Sequence, residues 1–137
     1  MENSEPIAKK EPSLYAQLGG QPVITAAVEA FYGRVLADPQ LKPFFKATDM
    51  QWLKKRQIQF FTTALGGPVL YKGPSMKKAH ETMAIEQKHF DAVAGHLAAT
   101  LKSLNVAQFL IDQVVGAVAP LAVEIVNKPS TKLMEER

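Results

Sequence analysis

The chain has 137 residues, of which 47% are hydrophobic and 21% are charged, and these values are typical of one globular domain. It contains no cysteine, which excludes disulfides, thiolate metal sites, iron–sulfur clusters and covalent c-type haem attachment. The net charge of +3 comes from mixed acids and bases, so nucleic acid is not an expected partner, although an acidic protein partner is compatible with this charge.

The first residues, MENSEPIAKKEP, lack the apolar stretch of a signal peptide. The longest uncharged apolar run, QVVGAVAPLAV, is shorter than the roughly 20 residues that a membrane-spanning helix needs. We therefore expect a cytoplasmic protein with no membrane span. Polar composition predicts mobile ends over residues 1–12 and 128–137, which leaves 13–127 as the folded domain.

Apolar residues recur at helical spacing along the chain, and strand patterns are almost absent. After the motif SLYAQLGG, Pro22 suits the first turn of a helix. One face of that helix carries Val28, Phe31, Tyr32 and Val35. Asp38 is then expected to cap a short helical segment that begins at Pro39.

The second half of the chain continues in helices. A helix is predicted from near Asp49 to the Gly66–Gly67 pair, and Ser75 is expected to cap a small helix that ends at His80. The inner face of the first of these helices carries Leu53, Gln57, Phe60, Phe61 and Ala64. Two amphipathic helices follow, over about 86–103 and 106–126. The predicted fold class is all-α.

Two polar side chains interrupt these apolar faces. Gln57 lies among the apolar residues of its helix, and Tyr32 lies on the inner face of its own. A buried polar group without a partner destabilises a protein by about 1–3 kcal/mol, so both side chains need hydrogen bonds. Two explanations stay open. The bonds are made to the backbone or to each other, or both side chains donate to a polar ligand in one cavity.

The three histidines are candidate metal ligands. His89 and His96 share one helix face, but their spacing does not make the zinc pattern HExxH, and we expect structural roles for both. His80 follows a loop rich in turn residues, GGPVLYKGPSMKK. It is either a packed core histidine or the single imidazole ligand of a haem iron. The sequence contains no nucleophile elbow and no phosphate-binding loop.

Five motifs together resemble the group I truncated haemoglobins. These are SLYAQLGG, FYGRVLADPQLKPFF, QFFTTALGGPVLYKG, MKKAH and HFDAVAGHLAATL. The similarity runs from about Ser13 to Val126 and is strongest to the mycobacterial branch, through ALGGP, VAGHLA and AVAPLAV. The resemblance implies a truncated globin, a two-over-two helical sandwich, with haem b and its iron as cofactor.

The resemblance also assigns roles to particular residues. His80 matches the proximal histidine that binds the iron, and Tyr32 and Gln57 match the distal tyrosine and glutamine. The other pocket positions that it implies are Phe45, Leu53, Arg56, Phe60, Phe61, Tyr71 and Met76. Leu53 stands where many globins carry a distal histidine. Phe61 matches a residue proposed to gate an apolar tunnel in the mycobacterial relatives.

Position 56 departs from both well-known branches, in which a histidine or a lysine stands there. Arginine stays protonated and cannot bind iron, so we expect an open sixth position on the iron. Arg56 would extend over the haem edge toward a propionate, with a solvated surface position as the alternative. Ligation by Lys54 or Lys55 stays open, and Tyr71 is also expected to reach a propionate.

These assignments predict a function. Hydrogen-bond donors directed at bound oxygen contribute about 1.5–3 kcal/mol each, so Tyr32 and Gln57 would slow its release by roughly 10²–10⁴. Such retention favours nitric-oxide dioxygenase activity, with nitrate as product and a separate electron-donating reductase as partner. The alternative is oxygen storage, transport or gas sensing without turnover. CO is a further expected ligand, and the expected oligomeric state is a monomer or weak dimer.

Overall fold

A computed structural model describes residues 12–68 and 71–128, and all regular structure within these residues is helical. The α-helices are α1 (Leu14–Leu18), α2 (Gln21–Ala37), α3 (Met50–Ala64), α4 (Met76–His80), α5 (Gln87–Ser103), α6 (Gln108–Val118) and α7 (Ala122–Ile125). Two short 3-10 helices span Lys42–Phe45 and Ala119–Leu121. The all-α prediction is confirmed. The predicted mobile ends lie almost entirely outside the described residues.

Local capping explains where the central helices begin. α2 starts after Gly20 with Pro22 in its first turn, where a missing backbone N–H is tolerated. α3 starts after Asp49, whose carboxylate accepts two backbone N–H groups of the first turn. α4 starts after Ser75, whose hydroxyl accepts one such N–H group. These three starts agree with the sequence prediction to within one residue.

α3 ends at the predicted glycine pair. Gly66 has a φ of +88°, which lies in the left-handed region that suits glycine. At Gly67 an added Cβ would meet the side chains of Thr62 and Tyr15 at 2.7 and 2.8 Å. The absence of a side chain at Gly67 therefore lets α1 and the end of α3 approach closely.

The segment after α2 differs from the prediction. Asp38 ends α2 instead of starting a helix at Pro39, and its carboxylate accepts the backbone N–H of Gln40 at 2.9 Å. An aspartate that binds the backbone two residues ahead forms a turn, so helical structure resumes only in the 3-10 helix Lys42–Phe45.

The last predicted helix is divided into three pieces. Pro120 lies in the 3-10 helix between α6 and α7, where its missing N–H interrupts the helical hydrogen bonds. The 18-residue segment Gln108–Ile125 has a mean hydropathy of 1.4, and by length and composition alone it could cross a membrane. The absence of a membrane span therefore stays a prediction.

The core lies between the four longer α-helices. α2 packs against both α3 and α5, and α5 packs against α6. The buried core residues are Leu18, Ile24, Ala27, Val28, Phe31, Tyr32, Val35, Leu41, Leu65, Leu97, Leu101, Leu110, Ile111 and Val114. The predicted inner face of α2 is thus buried in full, and α2 is the helix that connects the layers.

A hydrogen bond between two side chains joins the end of α2 to α5. Nε2 of His96 lies 2.7 Å from Oδ2 of Asp38, and the side chains are 26% and 18% exposed. The hydrogen bond from His96 holds the pKa of the Asp38 carboxyl below its usual value. This contact gives His96 a structural role.

Candidate functional site

His80 ends α4 with only one of its ring nitrogens engaged. Nδ1 lies 2.6 Å from the carbonyl oxygen of Met76. A carbonyl oxygen only accepts, so Nδ1 carries the proton and Nε2 presents its lone pair. Within the described part of the chain, Nε2 has no hydrogen-bond partner. Metal-binding histidines commonly have this arrangement, in which the bond from the second nitrogen fixes the tautomer and the ring orientation.

Met76 anchors the short helix that carries His80. Its side chain is buried at 7% exposure, and its carbonyl oxygen accepts the Nδ1–H of His80. The predicted pocket residue Met76 therefore lies beside the predicted ligand and orients it through the backbone.

Tyr32 lies on the inner face of α2 and is 6% exposed. Its ring packs edge-on against Phe31 and Phe45, with centroid distances of 4.9 and 6.0 Å. Among residues 12–68 and 71–128, the hydroxyl has no hydrogen-bond partner. Burial raises the pKa of the Tyr32 phenol, so the hydroxyl stays protonated and remains a donor. A polar ligand would satisfy this donor.

Gln57 lies on α3 and is half-buried. Its amide also has no hydrogen bond to any residue that the structure describes. The first explanation from sequence, in which Tyr32 and Gln57 bind the backbone or each other, is therefore not what this structure contains. The second explanation, two donors for one polar ligand, agrees with it.

Aromatic residues of α3 continue into the loop before α4. Phe60 packs edge-on against Phe61 and Tyr71, with centroid distances of 5.7 and 5.4 Å. The Tyr71 hydroxyl donates to the carbonyl oxygen of Pro74 at 2.9 Å. Because a phenol has one proton, Tyr71 cannot donate to a propionate in this conformation. Its place in a cofactor pocket stays a prediction.

Phe61 also borders an apolar cavity of about 20 Å³. The cavity is lined by Leu18, Val23, Ile24, Ala27, Val28, Phe31, Phe61, Leu65, Leu97, Leu101 and Val114. A space of this size holds about one water-sized molecule, and an apolar lining favours an uncharged gas over water. Phe61 is thus in contact with a space suited to small gases, and its role as a gate stays a prediction.

The charged residues before Gln57 make other contacts. The guanidinium carbon of Arg56 lies 4.9 Å from the ring centre of Trp52, a cation–π contact. Nζ of Lys54 lies 2.9 Å from the carboxylate of Glu29. Lys55 is exposed. The expected position of Arg56 over a haem edge stays a prediction.

Two further predicted pocket residues, Phe45 and Leu53, are half-buried and pack against the core. His89 lies outside this group. Its Nδ1 accepts the backbone N–H of Glu86 at 2.9 Å, and its ring packs edge-on against Phe44. His89 therefore caps the start of α5, which is a structural role.

One residue beside His80 was not predicted. The Asn127 side-chain amide donates to the carbonyl oxygen of His80 at 2.6 Å. The two residues are 47 positions apart, so no local sequence pattern signals the contact.

The chemistry of the site limits the kind of metal centre that it can hold. Among the residues described, no group of three or more His, Asp or Glu side chains could hold a metal ion. A metal centre that needs only one side-chain ligand is compatible with this finding. A haem provides four ligands itself, with a single histidine as the axial ligand.

Comparison with known proteins decides the family. The family model for bacterial-like globins matches residues 13–127. The chain belongs to the bacterial-like globin family.

Its relatives within this family include group I truncated haemoglobins. The chain is 45% identical over 126 residues to Group 1 truncated hemoglobin GlbN of Mycolicibacterium paratuberculosis, with 91% of this chain and 93% of the relative covered. It is 46% identical to Group 1 truncated hemoglobin of Tetrahymena thermophila, with 81% and 88% covered. The crystal structure of truncated hemoglobin from Tetrahymena pyriformis in the Fe(III) form superimposes with a TM-score of 0.83 at 42% identity, covering 85% of this chain and 100% of that one.

The predicted family and two-over-two globin fold are confirmed. Truncated haemoglobins bind haem and gases, so haem with its iron is the cofactor of this globin. The residues present fit that cofactor. His80 offers one free imidazole nitrogen, and Tyr32 offers a buried donor with no partner in the described chain. The individual residue assignments stay predictions.

Proposed function

We propose that this truncated haemoglobin oxidises nitric oxide to nitrate with molecular oxygen. The reaction NO + O2 + e− → NO3− balances in atoms and charge, and its electron comes from a separate one-electron reductase. The observation that carries the proposal is the hydroxyl of the buried residue Tyr32, a protonated donor without a partner among the described residues.

In this proposal His80 holds the haem iron through Nε2. The hydrogen bond from Nδ1 to the Met76 carbonyl keeps the lone pair on Nε2 and limits rotation of the ring. When bound, the haem supplies an iron that binds oxygen and exchanges electrons. Apolar residues shield it from water, and those proposed for this role are Phe45, Leu53, Phe60, Phe61 and Met76.

Tyr32 supplies the electrostatic part of the catalysis. Oxygen gains negative charge as it is reduced, and a hydrogen bond to a charged group contributes about 1.5–3 kcal/mol. The raised pKa of Tyr32 favours the role of donor over that of acid, because the phenol keeps its proton. Gln57, on the neighbouring helix α3, would orient the hydroxyl or donate a second hydrogen bond.

Two contacts support an open position for the gas. Lys54 is paired with Glu29, and Arg56 stacks on Trp52 and cannot bind iron. The apolar cavity beside Phe61 offers a second gas molecule a space from which charged solutes are excluded. A cytoplasmic location, which the sequence predicts, is compatible with supply of electrons by a soluble reductase.

Nitrate yield under repeated turnover tests the proposal. The oxygenated ferrous protein is mixed with a many-fold excess of nitric oxide over protein, with oxygen in excess over nitric oxide and a reductant already shown to reduce the ferric protein, and nitrate is then measured. We expect one nitrate for each nitric oxide over many cycles. A protein that consumes one equivalent and then stops, although the reductant still works, would contradict turnover and favour oxygen storage, transport or sensing.

A further inference from the structure

The side chain of Asn127 makes hydrogen bonds at both ends of the loop between α4 and α5. Nδ2 of Asn127 donates to the carbonyl oxygen of His80 at 2.6 Å, and its Oδ1 accepts the backbone N–H of Ile85 at 2.7 Å. Asn127 lies just beyond α7, so the contact joins distant parts of the chain. A single amide therefore closes residues 81–84 into a fixed loop.

Neighbouring contacts hold Asn127 itself in place. Its backbone N–H donates to the carbonyl oxygen of Ile85 at 2.9 Å, and that of Lys128 donates to the same oxygen at 3.0 Å. Ile85 is buried at 6% exposure, whereas Asn127 lies at the exposed edge of this cluster. Nζ of Lys128 also lies 3.7 Å from the carboxylate of Glu86. These backbone hydrogen bonds position the Asn127 amide.

α4 needs support from outside itself. It has five residues, which is too short for a helix to be stable alone. After His80 there is no regular structure until Gln87, and Ala84 has a φ of +51°. Residues other than glycine keep such a left-handed conformation where surrounding contacts fix the chain. The two hydrogen bonds of Asn127 supply contacts on both sides of Ala84.

We propose that Asn127 is a positioning residue for His80. It fixes the backbone carbonyl of His80 while the Met76 carbonyl fixes the ring, and together they set the direction of Nε2. This inference rests on His80 as the iron ligand in the proposed function. Asparagine suits the role because one amide both donates and accepts. An aspartate would keep the acceptor for Ile85 and lose the donor to His80.

The test compares Asn127→Ala and Asn127→Asp with a neighbouring control, Lys128→Ala, in the full haem-loaded chain at pH 7. The readouts are the iron–histidine stretching band in the resonance Raman spectrum of the ferrous, gas-free protein and the rate of haem transfer to apomyoglobin. Both Asn127 variants should shift or broaden the band and speed haem loss by about tenfold. Lys128→Ala should change neither, because it removes only the 3.7 Å ion pair with Glu86 and keeps the backbone hydrogen bond from residue 128 to Ile85.

The Asn127→Asp variant keeps the test valid if Asn127→Ala does not fold, because it retains the bond to Ile85. Absence of the iron–histidine band from a parent protein whose visible spectrum shows five-coordinate iron would remove His80 as the ligand and overturn both proposals. A band that is present in the parent and unchanged in the Asn127 variants would overturn this inference alone. An effect in Asn127→Ala that is absent in Asn127→Asp would also overturn it, since the bond to Ile85 would then carry the effect.

Discussion

The His80 side and the Tyr32 side of the candidate site differ in how their polar groups are engaged. On the His80 side, the Met76 carbonyl and the Asn127 amide hold the ring and the backbone of one residue. On the Tyr32 side, the phenol and the Gln57 amide have no partner within the described chain. Fixed groups suit a permanent ligand, whereas donors without partners suit a charge that appears only during reaction. In the proposed function, the His80 side therefore holds the cofactor and the Tyr32 side acts on the gas.

The largest effect should follow from removing the fixed ligand. We expect His80→Gly to increase the rate of haem loss by at least about 100-fold, because it removes the axial ligand itself and not only a group that supports it. Free imidazole should restore retention, since it can fill the space left by the ring. Transfer of haem to apomyoglobin measures the rate. The control His96→Gln breaks only the bond to Asp38 and should keep its haem; normal retention in His80→Gly would remove it as the ligand.

A smaller effect is expected on the opposite side. Tyr32→Phe keeps the ring contacts with Phe31 and Phe45 and removes the donor, so oxygen should dissociate about 10–100-fold faster. Stopped-flow displacement of oxygen by CO gives the rate. Tyr15→Phe is the matched control, because its hydroxyl binds Gln21 at 3.3 Å on an exposed part of the molecule. Equal oxygen dissociation rates in the Tyr32 variant and the parent would show that Tyr32 is not the donor to bound oxygen.

The apolar cavity beside Phe61 predicts that a substitution can slow the entry of a gas without changing the hydrogen bonds to the bound gas. Phe61→Trp adds volume to the wall of a cavity of about 20 Å³ and should slow CO association several-fold, with CO dissociation little changed. Flash photolysis measures both rates. Phe109→Trp alters an exposed residue that does not line the cavity, and it should leave association unchanged. If both variants slow association equally, the cavity is not on the route of the gas.

The contact between Asp38 and His96 predicts an effect of pH on folding stability only. The folded protein has a lowered pKa at Asp38, so this carboxylate stabilises the fold above its unfolded pKa of about 3.9, and the stabilisation is lost as pH falls through the folded value. Urea unfolding between pH 3 and pH 7 should show a shallower acid loss in Asp38→Asn than in the parent. Identical acid limbs would exclude this contribution.

The last prediction is that pH has no effect on the oxygen dissociation rate. Because the pKa of the buried Tyr32 phenol is raised above its usual value of about 10, the donor stays protonated from pH 6 to pH 9. The oxygen dissociation rate should therefore be constant over that range. A rate that rises toward pH 9 in the parent and stays constant in Tyr32→Phe would show that the phenol ionises in the folded protein.

The same contrast explains what the sequence could predict. Local signals set the cap at Asp49, the cap at Ser75 and the turn at Gly66, and these predictions are confirmed. Tyr32 and Gln57 stood out because each is a polar residue on an apolar helix face. The two candidate donors were thus visible as exceptions to a periodic pattern.

What the sequence could not predict depends on contacts between distant residues. Asn127 supports His80 across 47 positions, and a polar residue after a helix is unremarkable by itself. Aspartate is typical both of helix caps and of turns. The hydrogen bonds of Asp38 to Gln40 and His96 favour the turn. Pro120 shortened the last helix although the apolar pattern continues through it.

One spectrum tests the central claim that His80 alone holds the iron while the Tyr32 side stays open. The ferrous, haem-loaded protein is recorded without oxygen or any added gas. We predict one broad visible band of five-coordinate iron that converts to a long-lived pair of bands when oxygen is added. Two sharp bands before any gas is added would mean that a side chain such as Lys55 occupies the sixth position, and would contradict an open site.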